Sequence, residues 1–378
     1  MYAIKRRLKL NNKERTLMAK HAGFARYTYN FGLNLYNSID HTTVKSSVSK
    51  KLTTIKKILT NITKRQSENA WMNELSSKVY QSSFQHLGTA ISKWLAGEAK
   101  RPVYKSRKDG QSFTVYDGNG VVTLDCGKKI KIPTLGTFRL WESLDARYVT
   151  QTFTLSCRAG EWYVSFAVNA ERIPPLFHQV QKTIGIDLGV KMFATLSDGT
   201  EYSAPKPFKK AKTKLAKKQW RNRKKQSGNR KKDVKTSNNA KKFYQSVAKQ
   251  HAHIANVRYD FLQKTTTEIS RKYSHIRIED LNVSGMIANH KLASAVSDLG
   301  FYEFRRQLTY KSPIYSTKVE IIDRWYPSSK MCHNCHHIQP MPLNERWFKC
   351  ENCVHVNCRD WNAALNLADA PNDKVRLA

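Results

Sequence analysis

The sequence lacks any long hydrophobic run. A helix that crosses a bilayer needs about 18 or more consecutive apolar residues, and no such run occurs in this 378-residue chain. The N-terminal segment also lacks the apolar stretch of a secretory signal peptide. We therefore expect a cytoplasmic protein with no membrane partner, in a compartment that keeps thiols reduced.

Acidic residues are scarce. The chain has 29 Asp and Glu against 66 Lys and Arg, a formal net charge of +37. Such an excess is typical of proteins that bind a polyanion, because each phosphate neutralised by Lys or Arg releases condensed counterions. Nucleic acid is the expected partner, although the charge alone does not separate a DNA-binding protein from a ribosomal-type RNA binder.

The length predicts two or three domains. A basic strand at residues 2–10 precedes helical periodicity that extends to about residue 97. Short β-like segments follow, with a turn signal at residues 117–120, and a linker at Pro174 and Pro175 comes after them. We expect a small antiparallel barrel or sandwich that includes the first strand and is interrupted by the helices; its later strands are predicted at residues 113–116, 129–132, 152–156 and 162–168.

The clearest helical pattern covers residues 78–95. One narrow arc is apolar, with Tyr80, Phe84, Leu87, Ile91 and Trp94. The opposite face is either solvated or a surface that reads bases, since amides can pair with adenine and Lys with guanine or phosphate. That face comprises Lys78, Gln81, Ser82, Gln85 and Lys93.

A second set of strands begins after the linker. Strands are predicted at residues 183–188, 192–196, 275–281 and 318–323, with helices at 301–310 and 360–368 and a polar C-terminal tail. Between them, 15 of the 30 residues in 206–235 are Lys or Arg. This tract is either a solvated or disordered charge run or, with the helix pattern that follows, a two-helix basic arm on a nucleic-acid backbone.

Four cysteines near the C-terminus form two CxxC pairs: Cys332, Cys335, Cys350 and Cys353. Two such pairs can complete a tetrahedral site of four thiolates, the closed and structural kind of Zn²⁺ centre. The alternative is four unrelated reduced thiols, because Cys126, Cys157 and Cys358 have no evident ligand role.

Acidic residues on hydrophobic segments are the anomaly in so basic a chain. Asp187 and Glu279 each follow a strand-like apolar run, and Asp360 opens the last helix. Each alone could be a cap, a turn residue or half of a salt bridge. Together, three carboxylates can hold two divalent cations about 4 Å apart for phosphodiester cleavage, with Mg²⁺ or Mn²⁺ preferred by oxygen ligands. Asp280 would point to the other side of its strand and is the weaker candidate. Asp323 is a further acidic residue, whose role could instead be structural.

Several motifs occur in one order along the chain. They are GIDLG at 185–189, IEDLN at 278–282, YPSSK at 326–330 before the first CxxC, and RDWNAALN at 359–366 after the second. ANVRYDF at 255–261 and residues 304–311 add to the pattern. This combination resembles the TnpB family, transposon-associated RNA-guided DNA endonucleases related to type V CRISPR effectors.

The resemblance implies an α/β multidomain protein. Residues 1–10 and 98–175 would form a wedge-type β-barrel, interrupted by a helical recognition segment at 11–97. Residues 176–324 and 358–378 would form an RNase H-like RuvC nuclease domain, with the basic helical arm at 206–272 and an inserted zinc ribbon at 325–357. The family's catalytic carboxylates match Asp187, Glu279 and Asp360, which would hold Mg²⁺ or Mn²⁺.

The resemblance also implies partners. The family binds a guide RNA copied from its transposon end, and base pairing selects one strand of a double-stranded DNA target next to a short flanking motif. A monomer on one RNA, associated with the nucleoid through DNA, is expected. Candidate nucleic-acid contacts are Lys78, Gln81 and Ser82 for the flanking motif, and Lys217, Lys218, Arg221, Arg223 and Arg258 on the arm.

Two other functions stay open at this point. A nuclease-independent RNA-guided repressor would be expected to lose a carboxylate or the C-terminal motif, and this chain retains both. An unguided RNase H-like junction resolvase would share the chemistry without needing the helical insertion, the arm and the zinc module together. A transposase is less favoured, because no tyrosine-and-histidine strand-transfer motif is distinct.

Overall fold

The computed structural model describes residues 2–39, 46–116, 120–168, 180–225, 228, 234–342 and 345–378. Residues 117–119 of the predicted turn at 117–120, and the linker prolines, lie outside the described residues. The chain divides into two compact units, residues 1–171 and 172–378. No helix in the described part is long and apolar enough to cross a membrane.

In its described residues, unit 1 combines three α-helices with an antiparallel sheet. Its first strand, β1 (Tyr2–Lys9), leads into α1 (Asn12–Asn37), whose first turn is closed by a reciprocal capping box between Asn11 and Glu14. The other helices are α2 (Val48–Asn61) and α3 (Ser77–Leu95), with short 3₁₀ segments between them. The remaining strands are β2 (Gln111–Tyr116), β3 (Val122–Leu124), β4 (Lys129–Ile132), β5 (Gly136–Leu140), β6 (Thr152–Arg158) and β7 (Glu161–Val168).

The first strand joins both halves of this sheet, as the sequence predicts. The strand order is β2-β6-β7-β1-β5-β4-β3, and β1 pairs with β7 over most of its length and with β5 at its end. In the described residues, the end strands β2 and β3 do not pair with each other, so the sheet is not closed into a complete barrel. Helix α3 buries Tyr80, Phe84, Leu87 and Ile91 in the core that it shares with the sheet.

The strands described in unit 2 include β8 (Val180–Leu188), β9 (Ala194–Leu196), β10 (Glu201–Tyr202), β11 (Tyr273–Glu279), β12 (Lys318–Ile322) and β15 (Val375–Leu377). These six strands form a mixed sheet in the order β10-β9-β8-β11-β12-β15. The central strands β8, β11 and β12 are parallel, while β9, β10 and β15 run antiparallel to their neighbours. A separate hairpin consists of β13 (Trp347–Lys349) and β14 (Val356–Cys358).

The helices of unit 2 lie in the connections between these strands. They are α4 (Pro207–Arg221), α5 (Asn238–Lys272), α6 (Val283–Ala288), α7 (His290–Leu299), α8 (Phe301–Tyr315) and α9 (Arg359–Ala368). The predicted two-helix basic arm is present as α4 and α5, and Ile254 and Ile269 lie on the buried side of α5. Phe193, Phe301 and Phe304 meet in the core beside the sheet.

The C-terminal segment predicted as a polar tail contains a short strand. Residues 375–377 form β15, which pairs antiparallel with β12 through Val375 beside Ile322 and Leu377 beside Glu320. A three-residue edge strand with Arg376 at its centre has too little apolar alternation to be recognised from its sequence.

Candidate active site and metal centre

Two parallel strands bring Asp187 and Glu279 together. Ile186 of β8 lies beside Ile278 of β11 in the register of the sheet. The residues that follow, Asp187 and Glu279, therefore occupy matching positions at the carboxyl ends of adjacent strands. Matching positions of parallel neighbours point to the same face, and such strands lie about 4.8 Å apart.

Helix α9 carries Asp360 to the same face. A Cβ atom on Gly185 would lie 2.0 Å from the carbonyl oxygen of Ala364, so the backbone of α9 rests directly on β8 there. Asp187 is two residues beyond Gly185 and shares its face, while Asp360 is one helical turn before Ala364. The glycine of the GIDLG motif is thus the point at which helix and strand meet.

The charges of the three carboxylates interact. Burial, together with the charges of Asp360 and Glu279, raises the pKa of Asp187 to about 8, although the nearby Arg359 acts in the opposite direction. Burial, followed by the charge of Asp280, also raises the pKa of Glu279. Negative charge is therefore crowded at this edge of the sheet, an arrangement that a bound cation would stabilise.

Two basic side chains border Asp360. Arg359 Nε lies 3.7 Å from its Oδ1, and Arg346 Nη1 lies 3.9 Å from its Oδ2. Arg346 precedes β13 and was not predicted, because no sequence pattern links that loop to the last helix.

Both ends of α9 are fixed to the sheet. The Trp361 Nε1–H donates to the carbonyl of Ser197 at 3.0 Å. At the other end, Arg277 of β11 donates to the carbonyls of Ala368 and Ala370 at 2.8 Å each and to Glu320 at 2.9 Å. These contacts hold Asp360 in place, and the sequence did not single out any of the three side chains.

Asp280 does not join the three carboxylates. It accepts hydrogen bonds from three arginine side chains, Arg305, Arg324 and Arg376. The sequence prediction that it points away from Glu279 agrees with this arrangement.

The four cysteines form a cluster that could hold a metal ion. Their sulfur atoms all lie within 4.8 Å of one another, with Cys332 to Cys353 at 3.7 Å and Cys335 to Cys350 at 3.5 Å. Tetrahedral Zn²⁺ with bonds of about 2.3 Å separates its sulfur ligands by about 3.8 Å, so the cluster fits zinc. The side-chain amides of Asn334 and Asn352 donate to Cys353 and Cys335.

The cysteine module is bound to the helix that carries Asp360. Asn362 donates to the carbonyl of Met331 at 2.8 Å and accepts from the His333 N–H at 3.1 Å. Asn366, one turn later, donates to the carbonyls of Ser328 at 2.7 Å and Met331 at 2.6 Å. The two asparagines of the RDWNAALN motif therefore connect the cysteine module to the candidate active site.

Sequence comparison places the chain among known proteins. Residues 165–290 match the IS605 OrfB family, described as "Probable transposase", and residues 301–367 match the "Cas12f1-like, TNB domain". A "Putative RNA-guided DNA endonuclease" of Streptomyces pristinaespiralis is 36% identical over 315 residues, which are 81% of this chain and 74% of that protein. The chain belongs to the TnpB family.

A second TnpB relative and one solved structure extend the comparison. "Putative RNA-guided DNA endonuclease InsQ" of Escherichia coli K12 is 31% identical over 81% of this chain and 77% of its own length. The fold resembles Cas12f1 solved as a complex with sgRNA and target DNA, with a TM-score of 0.56, 14% identity, and coverage of 97% of this chain and 84% of that one. This TnpB chain thus has a mixed α/β fold similar to that of Cas12f1.

Most candidate nucleic-acid contacts lie at the surface. Gln81, Lys217, Arg221 and Arg223 are exposed, and Lys78 and Lys218 are half-buried. The Arg223 guanidinium lies 4.3 Å above the ring centroid of Trp220, which is itself exposed. Lys218 donates to Ser246 and links α4 to α5.

Two candidates need correction. Ser82 is only 1% exposed and its hydroxyl donates to the carbonyl of Lys78, so it cannot reach a base. Arg258 pairs at 3.2 Å with the buried carboxylate of Asp298, which also accepts from the backbone N–H groups of Phe208 and Lys209 at the start of α4. Arg258 therefore stabilises the junction of the arm instead of presenting its charge to a phosphate.

Proposed function

We propose that this protein is an RNA-guided, divalent-metal-dependent DNA endonuclease. The observation that carries the proposal is the arrangement of Asp187, Glu279 and Asp360 on one face at the carboxyl ends of β8 and β11. Two TnpB relatives carry the name "Putative RNA-guided DNA endonuclease", which, with the net charge of +37, supports the choice of nucleic acid as substrate and partner.

The strand order supports an RNase H-like, RuvC-type nuclease domain. Two antiparallel strands, β10 and β9, precede the three parallel strands β8, β11 and β12 in the sheet. The first parallel strand carries Asp187, the next carries Glu279, and the C-terminal helix carries Asp360. We infer that residues 176–324 and 358–378 form this domain and that residues 325–357 are its inserted zinc ribbon.

The donor set fits Mg²⁺ or Mn²⁺. Three carboxylates offer hard oxygen ligands, which these ions prefer over the thiolates that bind Zn²⁺. A pair of such ions activates water and stabilises the leaving oxygen in phosphodiester hydrolysis. Asp187 and Glu279 would hold the ions from rigid strands, and Asp360 would hold them from the N-terminal turn of α9.

The protein's own groups prepare this site. With its pKa near 8, Asp187 retains a proton at neutral pH until a cation replaces that proton. Arg346 and Arg359 lie close enough to Asp360 to orient its carboxylate. The contacts of Arg277 and Trp361 prevent α9 from sliding on the sheet, so the three ligands keep their spacing.

Base pairing to a guide RNA would supply the target sequence. Residues 1–10 and 98–175 would form the wedge-type part and residues 11–97 the recognition part. Within the latter, the exposed Gln81 and the half-buried Lys78 are the candidates that read a flanking motif. The guide would be an RNA from the transposon end, and Lys217, Arg221 and Arg223 are candidate backbone contacts on the arm.

The experiment is target cleavage by the purified protein–RNA complex with Mg²⁺. Asp187→Ala should bind the target with unchanged affinity and leave it uncut. The matched control is Asp260→Ala, which removes an exposed carboxylate paired with Lys264 on α5 and should leave cleavage unchanged. Undiminished cleavage by Asp187→Ala, or purified protein that carries no RNA, would refute the proposal.

A further inference from the structure

A cluster of three arginines surrounds Asp280 beside the candidate active site. Arg305 of α8 lies 2.5 Å from Asp280, Arg324 just after β12 lies 3.0 Å from it, and Arg376 of β15 lies 2.7 Å from it. We call Arg305, Arg324 and Arg376 the arginine cluster. Three separate elements therefore converge on one carboxylate.

The arginine cluster carries more positive charge than Asp280 can neutralise. Three guanidinium groups and one carboxylate leave a net charge of +2. Each guanidinium has five N–H donors, and within the described parts of the chain the side chains of the cluster have no acceptor other than Asp280. The side chains of Arg324 and Arg376 are 41% and 65% exposed, so their remaining donors face solvent.

An exposed aromatic ring adjoins the cluster. Trp325 follows Arg324 directly and is 85% exposed, the highest value among the large hydrophobic side chains described. Its backbone is nevertheless fixed, because the Trp325 N–H donates to Asp323 Oδ1 at 2.8 Å and the Asp323 N–H donates to the carbonyl of Lys374 at 2.9 Å. Leaving so large an apolar ring in water is unfavourable unless a ligand covers it.

The position of these residues relates them to the three carboxylates. Asp280 directly follows Glu279 at the end of β11, and Glu279 lies beside Ile322 at the end of β12, two residues before Arg324. The arginine cluster and Trp325 therefore lie at the same edge of the sheet as the candidate active site. Glu279 and Asp280 point to opposite faces, which keeps the positive cluster separate from the carboxylates.

We propose that Trp325 and the arginine cluster bind the single-stranded DNA that the carboxylates cut. One base stacks on Trp325, and a neighbouring phosphate binds the guanidinium groups of Arg324 and Arg376. Asp280 positions these groups, since a carboxylate between them holds both side chains in place before the strand arrives. The inference rests on the proposed nuclease function and identifies the residues that hold its substrate.

The chemistry of both parts fits a single strand. Every base has a π-face, so an exposed aromatic side chain binds unpaired bases without reading their sequence. Guanidinium groups match phosphate oxygens in a two-pronged geometry that an ammonium group lacks. A duplex would offer its phosphates but not its base faces to Trp325.

The test is cleavage of single-stranded target DNA by the purified protein–RNA complex. Trp325→Ala and Arg376→Ala should each raise KM about tenfold, the scale expected for loss of one stacked base, while kcat changes less than twofold. Arg376→Ala should also reduce the slope of log affinity against log salt by about one. Trp325→Phe should retain near-normal KM because it keeps a ring.

Arg306→Ala is the matched control. Arg306 neighbours Arg305 on α8 but pairs with Glu303 at 2.7 Å, outside the cluster, so its removal should leave KM and the salt slope unchanged. Unchanged KM and salt slope in both Trp325→Ala and Arg376→Ala would overturn the proposal, as would a loss confined to kcat and thermal stability. The proposed nuclease function would still stand in either case, provided that the wild-type complex cuts its target.

A second readout does not depend on cleavage. A DNA strand that carries 5-iodouracil is bound to the protein–RNA complex and irradiated. This strand should cross-link to Trp325 in the wild-type protein, and the yield of cross-linked protein should be lower for Trp325→Ala. If the wild-type complex cuts nothing, the nuclease proposal fails and this cross-link still reports on the binding site. Cross-linking of the DNA strand to other residues and not to Trp325 would contradict the assignment.

Discussion

The protonation of Asp187 should make the stability of the candidate active site depend on pH. Its usual pKa of 3.8 is raised to about 8 in the folded protein. Below about pH 4 the group is neutral in both the folded and the unfolded state. Between pH 4 and pH 8 the unfolded chain ionises while the folded one does not, so metal-free folding becomes less favourable as pH rises.

Asp187→Asn should therefore stabilise the metal-free protein. The gain in free energy of unfolding should be small near pH 4 and should grow to several kcal/mol by pH 8, as measured by thermal denaturation in a divalent-metal chelator. Asp260→Asn on α5 is the control and should show no such pH trend. An equal effect of Asp187→Asn at pH 4 and pH 8 would contradict the burial of this charge.

Val354 is strained at the second cysteine knuckle. Its φ is +50°, a left-handed conformation that β-branched residues rarely adopt, and its side chain is 83% exposed. Val354→Gly should remove this strain and raise stability by about 1 kcal/mol, with slower loss of zinc to a competing chelator.

Val356 is the control for that substitution. It is also exposed, but it lies on β14, where a glycine weakens a strand. Val356→Gly should therefore lower stability. If Val354→Gly and Val356→Gly destabilise the module equally, the left-handed backbone conformation of Val354 is not strained.

At the scale of elements, the contact between β8 and α9 determines where the third carboxylate lies. Gly185→Ala would place a Cβ atom only 2.0 Å from the carbonyl oxygen of Ala364, which is too close for the present packing. The helix must then shift, at a cost of about 1–3 kcal/mol. Because displacement by about 1 Å can cost a hundredfold in rate, we expect at least a tenfold loss of target cleavage.

Gly23→Ala provides the comparison for the helix–strand contact. Gly23 lies in α1, and a Cβ there would come no closer than 4.0 Å to Arg26, so alanine should be neutral or stabilising. Unchanged cleavage by Gly185→Ala would show that α9 does not need this close approach.

Much of the element structure was predictable, for identifiable reasons. The amphipathic arc of α3 and the apolar runs of β8 and β11 give unambiguous periodicities, and the paired CxxC spacing marks the cysteine cluster. The three carboxylates stood out because a charge on an apolar strand is costly without a partner. Ser82 was wrongly predicted to lie on an accessible face, because the face that α3 buries is wider than its arc of apolar residues.

Other features depend on contacts between distant residues. The strand β15 is three residues long and exists because β12 offers a free edge. Arg277, Arg346 and Trp361 acquire their roles from partners up to 164 residues away. No local pattern encodes such pairs, so sequence reasoning did not find them.

At the scale of the whole molecule, the zinc module and the candidate active site share α9. Asn362 and Asn366 bind the module's first knuckle on the helix that carries Asp360. We therefore expect zinc bound to the four cysteines to support the geometry of the proposed nuclease site without taking part in the chemistry.

Removal of zinc should reduce cleavage even when Mg²⁺ is restored. A zinc-selective chelator should lower the thermal stability of the protein and its cleavage rate, and added Zn²⁺ should recover both. Cys335→Ser, which weakens the thiolate set, should reproduce the loss. Full cleavage by zinc-free protein would show that the module and the carboxylates are independent.

Asp187, Glu279 and Asp360 are the side chains proposed to hold the divalent cations of a nuclease. Anomalous X-ray diffraction from crystals of the protein grown with Mn²⁺ tests this proposal most directly. We expect anomalous peaks bounded by these three carboxylates, and their loss in Asp187→Ala. Peaks elsewhere and none between the three side chains, in a protein that still cuts its target, would contradict the account.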